Sequence, residues 1–141
     1  MIFLLLGISC FGQSLDFYRE NYLKASTNKS ICSEMISNLE KSRNSNLEIG
    51  YYGAYQTIWA NHVINPLSKL STFQKGKKNL ELAISKEPTN TELRALRLSI
   101  QLNAPKFLGY HQAIENDKVF LNQRKNTVKE PYLKNLINQL L

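Results

Sequence analysis

Residues 76–101 read GKKNLELAISKEPTNTELRALRLSIQ, and this stretch decides the fold. Leu80, Ala83 and Ile84 recur at helical spacing, Pro88 cannot continue a helix, and Leu93, Leu96 and Ile100 restart the same period. Asn90 or Thr91 stands where a side-chain oxygen can accept from the free N–H groups of the second helix. A helix, a sharp stop and a second helix make a hairpin.

Outward from this hairpin the pattern stays helical. Apolar periodicity predicts helices at about 15–26, 29–43, 47–64, 67–86, 91–103, 106–125 and 129–140, and no stretch alternates as a strand. Asn28 and Asn46 are suited to N-caps, and Asn65-Pro66 places a cap before a proline at the first helical position, an arrangement that Asn103-Ala104-Pro105 echoes. Connections this short favour antiparallel neighbours. A shift of 44 residues lays Asn46-Leu47-Glu48-Ile49 over Asn90-Thr91-Glu92-Leu93, and Ile36 and Leu39 over Leu80 and Ala83.

Gly76, Leu80, Ala83 and Pro88 stand at the spacing of the second-helix residues of a tetratricopeptide repeat, and the hairpin resembles that family. The preceding positions, Ala60, Val63, Ile64 and Leu67, depart from the family's aromatic, Leu, Gly and Tyr. The resemblance implies an all-α fold: antiparallel helical hairpins stacked as a short TPR-like array, about seven helices after the N-terminal segment. A second resemblance rests on ELRALRLSIQLNAPKFLGY (92–110), the aromatic stretch 51–59 and Asp117-Lys118. These look like a family of small exported bacterial proteins, which implies export and an all-helical fold and carries over no catalytic residue.

Composition agrees with one globular domain over 13–141: the 141 residues are 43% hydrophobic and 21% charged. The net charge of +7 is uneven, since residues 13–65 hold five basic and five acidic side chains while 66–141 hold thirteen and six. Residues 1–12, MIFLLLGISCFG, form an apolar run followed by small residues, which reads as a secretory signal. Spanning a membrane takes about 20 apolar residues, more than this run supplies. Cleavage after Gly12 starts the mature chain at Gln13. The alternative is lipid attachment at Cys10, because Gly7-Ile8-Ser9-Cys10 partly resembles a lipobox. After ordinary cleavage only Cys32 remains, without an internal partner, and it reads as a small buried apolar residue.

Two surfaces are candidates for function. In LEIGYYGAYQTIWANHVI (47–64), Gly50, Gly53 and Ala54 make a small-residue stripe where another helix can approach closely. Tyr51, Tyr55, Ile58 and His62 make a second stripe, either core or the lining of an inner groove that holds a peptide or glycan. Lys75, Lys77, Lys78, Arg94, Arg97 and Lys106 form the densest basic patch. Export directs such a patch toward anionic lipid or polysaccharide and away from nucleic acid. Its plain alternative is a solvated face, with Arg94 and Arg97 paired to Glu87 or Glu92.

Motifs for catalysis are missing. His62 and His111 lie on different helices with no His-x-x-x-His or Glu-x-x-His spacing, no Gly-x-Ser-x-Gly elbow or Cys-His signature occurs, and no glycine loop cradles phosphate. No catalytic residue, metal or cofactor is therefore expected. The expected function is a non-catalytic protein- or peptide-binding module of the cell envelope. Docking of the basic surface on anionic lipid or polysaccharide is the alternative, and an enzyme of unidentified class the third.

Overall fold

A computed structural model describes residues 14–141; the signal-like segment 1–12, and Cys10 with its lipid attachment, lie outside the described residues. Seven α-helices are described: α1 (Leu15–Asn21), α2 (Lys29–Lys41), α3 (Asn46–Trp59), α4 (Pro66–Lys86), α5 (Thr91–Asn103), α6 (Ile114–Arg124) and α7 (Pro131–Leu140). Three 3-10 turns join them, at Leu23–Ser26, Ala60–His62 and Lys106–Leu108, and there is no strand among the described residues. The chain is an all-α helical array.

Side-chain caps set most of the helix starts. The side-chain oxygens of Asn28, Asn65 and Asn90 accept from the N–H groups of Ile31, Ser68 and Leu93, each at 3.0 Å. Each such cap stabilises its helix by about 1 kcal/mol. The expected cap at Asn46 is displaced by one residue: Ser45 accepts from Glu48 N at 3.2 Å, while Asn46 Nδ2 donates to the Ala83 carbonyl at 2.7 Å. Asn46 thus ties the start of α3 to the end of α4. The helix predicted over 106–125 is broken instead. After the turn at Lys106–Leu108, Gly109 takes φ 64°, a left-handed conformation that stops the helix, and α6 begins only at Ile114.

The most extensive helix contact is α3 against α4. It is centred on two glycines. A Cβ at Gly53 would lie 2.5 Å from Leu80 N and 2.6 Å from Gly76 O, and one at Gly76 would lie 2.5 Å from both Gly53 O and Thr57 N. The two backbones meet where no side chain fits, which is the packing reason for placing glycines in helix interiors at a cost of roughly 1 kcal/mol each.

α5 divides two cores. Leu93, Leu96 and Ile100 face the larger one with Tyr51, Tyr55, Leu80 and Ala83, while Ala95 and Leu98 face a smaller one built from Leu121, Leu133, Leu136 and Ile137. A helix covered on both faces must bury polar groups as well, and Glu92, Arg97, Ser99 and Gln101 are all buried. Three of them are matched. Glu92 accepts from Arg19 Nε and Nη2 at 2.7 and 2.6 Å, Arg97 donates to both oxygens of Asp117 at 2.7 and 2.8 Å, and the Ser99 hydroxyl lies 2.7 Å from that of Tyr22. Charge-assisted pairs of this kind are what make buried ions tolerable.

Candidate functional site

Of the two readings of the stripe Tyr51, Tyr55, Ile58 and His62, core or groove, burial favours core for Tyr51 and Tyr55. Tyr51 and Tyr55 are fully buried, because the face they present is already filled by the chain's own residues 15–26. Tyr22 packs edge-on against both rings, at 6.0 and 5.8 Å between centroids. The Tyr55 hydroxyl donates to the Tyr18 carbonyl at 2.6 Å and the Tyr51 hydroxyl to Glu92 at 2.6 Å. His62, half-buried beside Trp59, places Nε2 2.8 Å from the Ala25 carbonyl. Tyr51, Tyr55 and His62 thus clamp the segment 18–25. Burial pushes the Tyr51 hydroxyl well above its ordinary value, and the neighbouring Glu92 charge adds to the shift, so it remains a neutral donor.

The basic patch also resolves into separate parts. Arg94 and Arg97 do not meet Glu87 or Glu92; they converge on Asp117, which is completely buried on α6. Burial works against the Arg97 guanidinium, but its bonds to Asp117 outweigh this and hold it charged. Arg94 also lies over the Phe120 ring, 4.4 Å from its centroid, with Arg124 at 3.7 Å. Lys77 leans over Tyr110 at 4.9 Å. Only Lys75, Lys78 and Lys106 remain as exposed cations of the expected patch. Sequence spacing did not reveal Asp117 as the partner because it lies twenty residues from Arg97, on a helix whose start Gly109 delays.

Cys32 is buried as expected, with Sγ 3.5 Å from the Tyr55 carbonyl, and burial pushes its thiol up to about 12. Such a thiol is no nucleophile at neutral pH. Among the described residues, no three His, Cys, Asp or Glu side chains gather as metal ligands.

An apolar opening that a ligand could enter lies at one end of the array, apart from a second hollow of about 670 Å³ lined by polar residues of α2 and Trp59. Here the first 3-10 turn, the end of α3, the start of α4 and the end of α5 meet around a cleft of about 750 Å³. Tyr22 and Leu23 form one wall, Ile58 and Ala60 the floor side, Leu67, Leu70 and Phe73 the α4 wall, and Ile100, Ala104, Phe107 and Leu108 the last. Leu67 is 79% exposed and Phe107 82% exposed, as is Ile64 at 95% on the α3–α4 connection. The hydroxyls in the wall are spent internally: Thr57 donates to Ala54 O at 2.7 Å and Ser99 to Leu96 O at 2.8 Å. Lys69 is the one charged lining residue. Of the expected stripe only Ile58 belongs to this cleft. The sequence signal was Ile64 before Asn65-Pro66 and Phe107 beyond Pro105, large apolar residues in connections, where a solvated loop would be polar, with Leu67 in the first turn of α4.

No helix among the described residues is long and apolar enough to cross a membrane. The chain matches no protein-family model, and neither the curated proteins nor the solved structures contain a match, so its function is read from this geometry.

Proposed function

We propose that this chain is an exported, non-catalytic binding module of the cell envelope that holds the apolar part of its ligand in the cleft between the first 3-10 turn and the ends of α3, α4 and α5. One observation carries the reading: a cleft of about 750 Å³, walled by apolar side chains, opens between largely exposed Leu67 and Phe107. Ligand sites in proteins have this size and lining, and exposed apolar surface that the fold does not need is the usual mark of a contact site. Tyr51 and Tyr55 of the α3 stripe are buried against Tyr18 and Tyr22 and take no part, while Ile58 lines the cleft.

A neutral, environment-sensitive dye such as Nile red tests the reading. Its emission should rise on binding, and its chemical-shift footprint should concentrate in residues 57–73 and 99–108. Ala104→Trp, which fills the cleft from a half-buried wall position outside the helices, should abolish the rise while leaving helicity intact. Dye binding that survives this substitution, or a footprint elsewhere, would refute the assignment. Export is tested by the mass of the mature protein, which separates a chain starting at Gln13 from one lipidated at Cys10 or intact from Met1.

A further inference from the structure

Five of the nine large apolar side chains exposed among the described residues, Leu23, Ile64, Leu67, Leu70 and Phe107, surround the mouth of the one cleft. Four of them line it, and Ile64 stands two residues before the lining Pro66. The other four, Leu82, Leu102, Val119 and Leu141, fall singly on α4, α5, α6 and the last residue, and scattered exposure of that kind is ordinary. The mouth is different. Its five side chains offer roughly 700 Å² of surface, more than the about 300–600 Å² of the largest apolar patch on a typical monomer. Each partner in a stable protein interface contributes about 800 Å².

The patch carries both halves of a contact. Phe107 projects from a 3-10 turn that is held at each end: Pro105 fixes its own φ on one side, and beyond the left-handed Gly109 the buried Tyr110 packs edge-on against Phe73 and donates to Glu81. The turn therefore holds the Phe107 ring outward, beside a hollow with room for such a ring. A projection and a hollow on the same patch are what a two-fold contact needs, since there one surface must complement itself. Lys69 is the one charged lining residue, so closing the mouth against a second mouth removes few charges from water. From the area, the projecting ring and the hollow beside it we infer that two copies of this chain associate mouth to mouth about a two-fold axis, the Phe107 ring of each seated in the cleft mouth of the other. The buried interior at Phe73 and Ile100 stays free for a ligand. The pairing goes beyond the proposed ligand site, and its failure leaves that reading intact.

Sedimentation velocity of the purified mature protein over a micromolar concentration series tests the pairing. The weight-average mass should rise from one chain to two and stop there, because a two-fold contact closes on itself. Ile64→Ser combined with Phe107→Ser, at positions that bear little of the fold, should weaken association by about 100-fold or more, since each change counts twice and an apolar anchor is worth about tenfold or more. Val119→Ser on α6 should leave it unchanged. Each copy carries a net charge of +7, so screening the mutual repulsion should make the pair tighter at about 0.5 M salt than at about 0.05 M. A mass of one chain up to about 200 μM would overturn the inference, and Nile red still bound to that monomer would leave the cleft as the ligand site. A dimer that survives the double substitution would place the contact elsewhere and overturn it. Equal weakening by Val119→Ser, or growth beyond two chains, would mean indiscriminate adhesion and overturn it as well. A monomer that sediments with phosphatidylcholine vesicles, and loses this with the double substitution, would reassign the patch to a membrane surface and so overturn the pairing.

Discussion

Alkali should unfold this protein in one cooperative step between about pH 11 and 12, because five of its seven tyrosine hydroxyls are held away from water. Burial is the leading cause that pushes Tyr22, Tyr51, Tyr55, Tyr110 and Tyr132 above their ordinary value of 10.0, with the charge of Glu92 adding at Tyr51 and a hydrogen bond to Glu81 adding at Tyr110. Tyr132 is the least shifted of the five, to about 12. The folded-state values lie above the unfolded ones, so this stability is fully present below pH 10 and is lost as pH rises toward the folded values. At one unit above 10, ionisation in the unfolded chain costs the fold about 1.4 kcal/mol per group, or about 7 kcal/mol for the five. A further unit roughly doubles this, against a total stability of about 5–15 kcal/mol for a domain of this size. The assay follows tyrosinate absorbance and far-ultraviolet circular dichroism together. Both should change in one coincident step, and Tyr51→Phe should make the loss of stability with pH shallower by about one fifth. Tyrosinate absorbance worth more than two tyrosines that grows gradually from about pH 10 while the helical signal persists would refute the burial of these hydroxyls.

Three further outcomes are expected. Gly53→Ala gains up to about 1 kcal/mol of helix propensity but drives a methyl against the backbone of α4, so a net loss of about 2 kcal/mol or more should appear as a lower urea midpoint; an unchanged or raised midpoint would mean that α3 and α4 do not cross at this glycine. Asp117→Asn leaves Arg94 and Arg97 without their anion and should cost about 3–5 kcal/mol, with hydrogen exchange accelerating first in α6 and α7; uniform acceleration along the chain would count against a separate second core. Cys32 should resist alkylation at neutral pH until denaturant is added, and prompt modification of the native protein would show that α2 does not close over it.

The helix order was legible because it depends on local chemistry. Apolar spacing, Pro88, and the Asn28, Asn65 and Asn90 caps act over a few residues, and each lies where its spacing requires. The misreadings arose where one residue has two possible partners. Asn46 is as good a cap as Ser45 in isolation, but only Asn46 faces the Ala83 carbonyl, and that contact decides between them. Gly109 left no sign that a helix begun at Lys106 would stop, since an isolated glycine is compatible with a helix interior until its φ is known. Tyr51 and Tyr55 share one face of α3, but whether such a face is groove or core depends on what lies on it. Residues 15–26 settle that, and no periodicity within 47–64 carries the information.

The same N-terminal segment both closes one surface and builds the other. Tyr22 is the joint: its ring packs edge-on against Tyr51 and Tyr55, its hydroxyl meets Ser99 on α5, and its remaining surface forms part of the cleft wall. With Tyr18, Tyr22 and Ala25 seated against Tyr51, Tyr55 and His62, these aromatic rings serve stability. The segment ends at Ser26, short of the start of α4, where the helix ends leave space. Apolar side chains exposed at that point contribute little to the fold, since Leu67 and Phe107 bury only a small part of their surface in it. Apolar surface that helps no packing within the chain is best accounted for by something outside it.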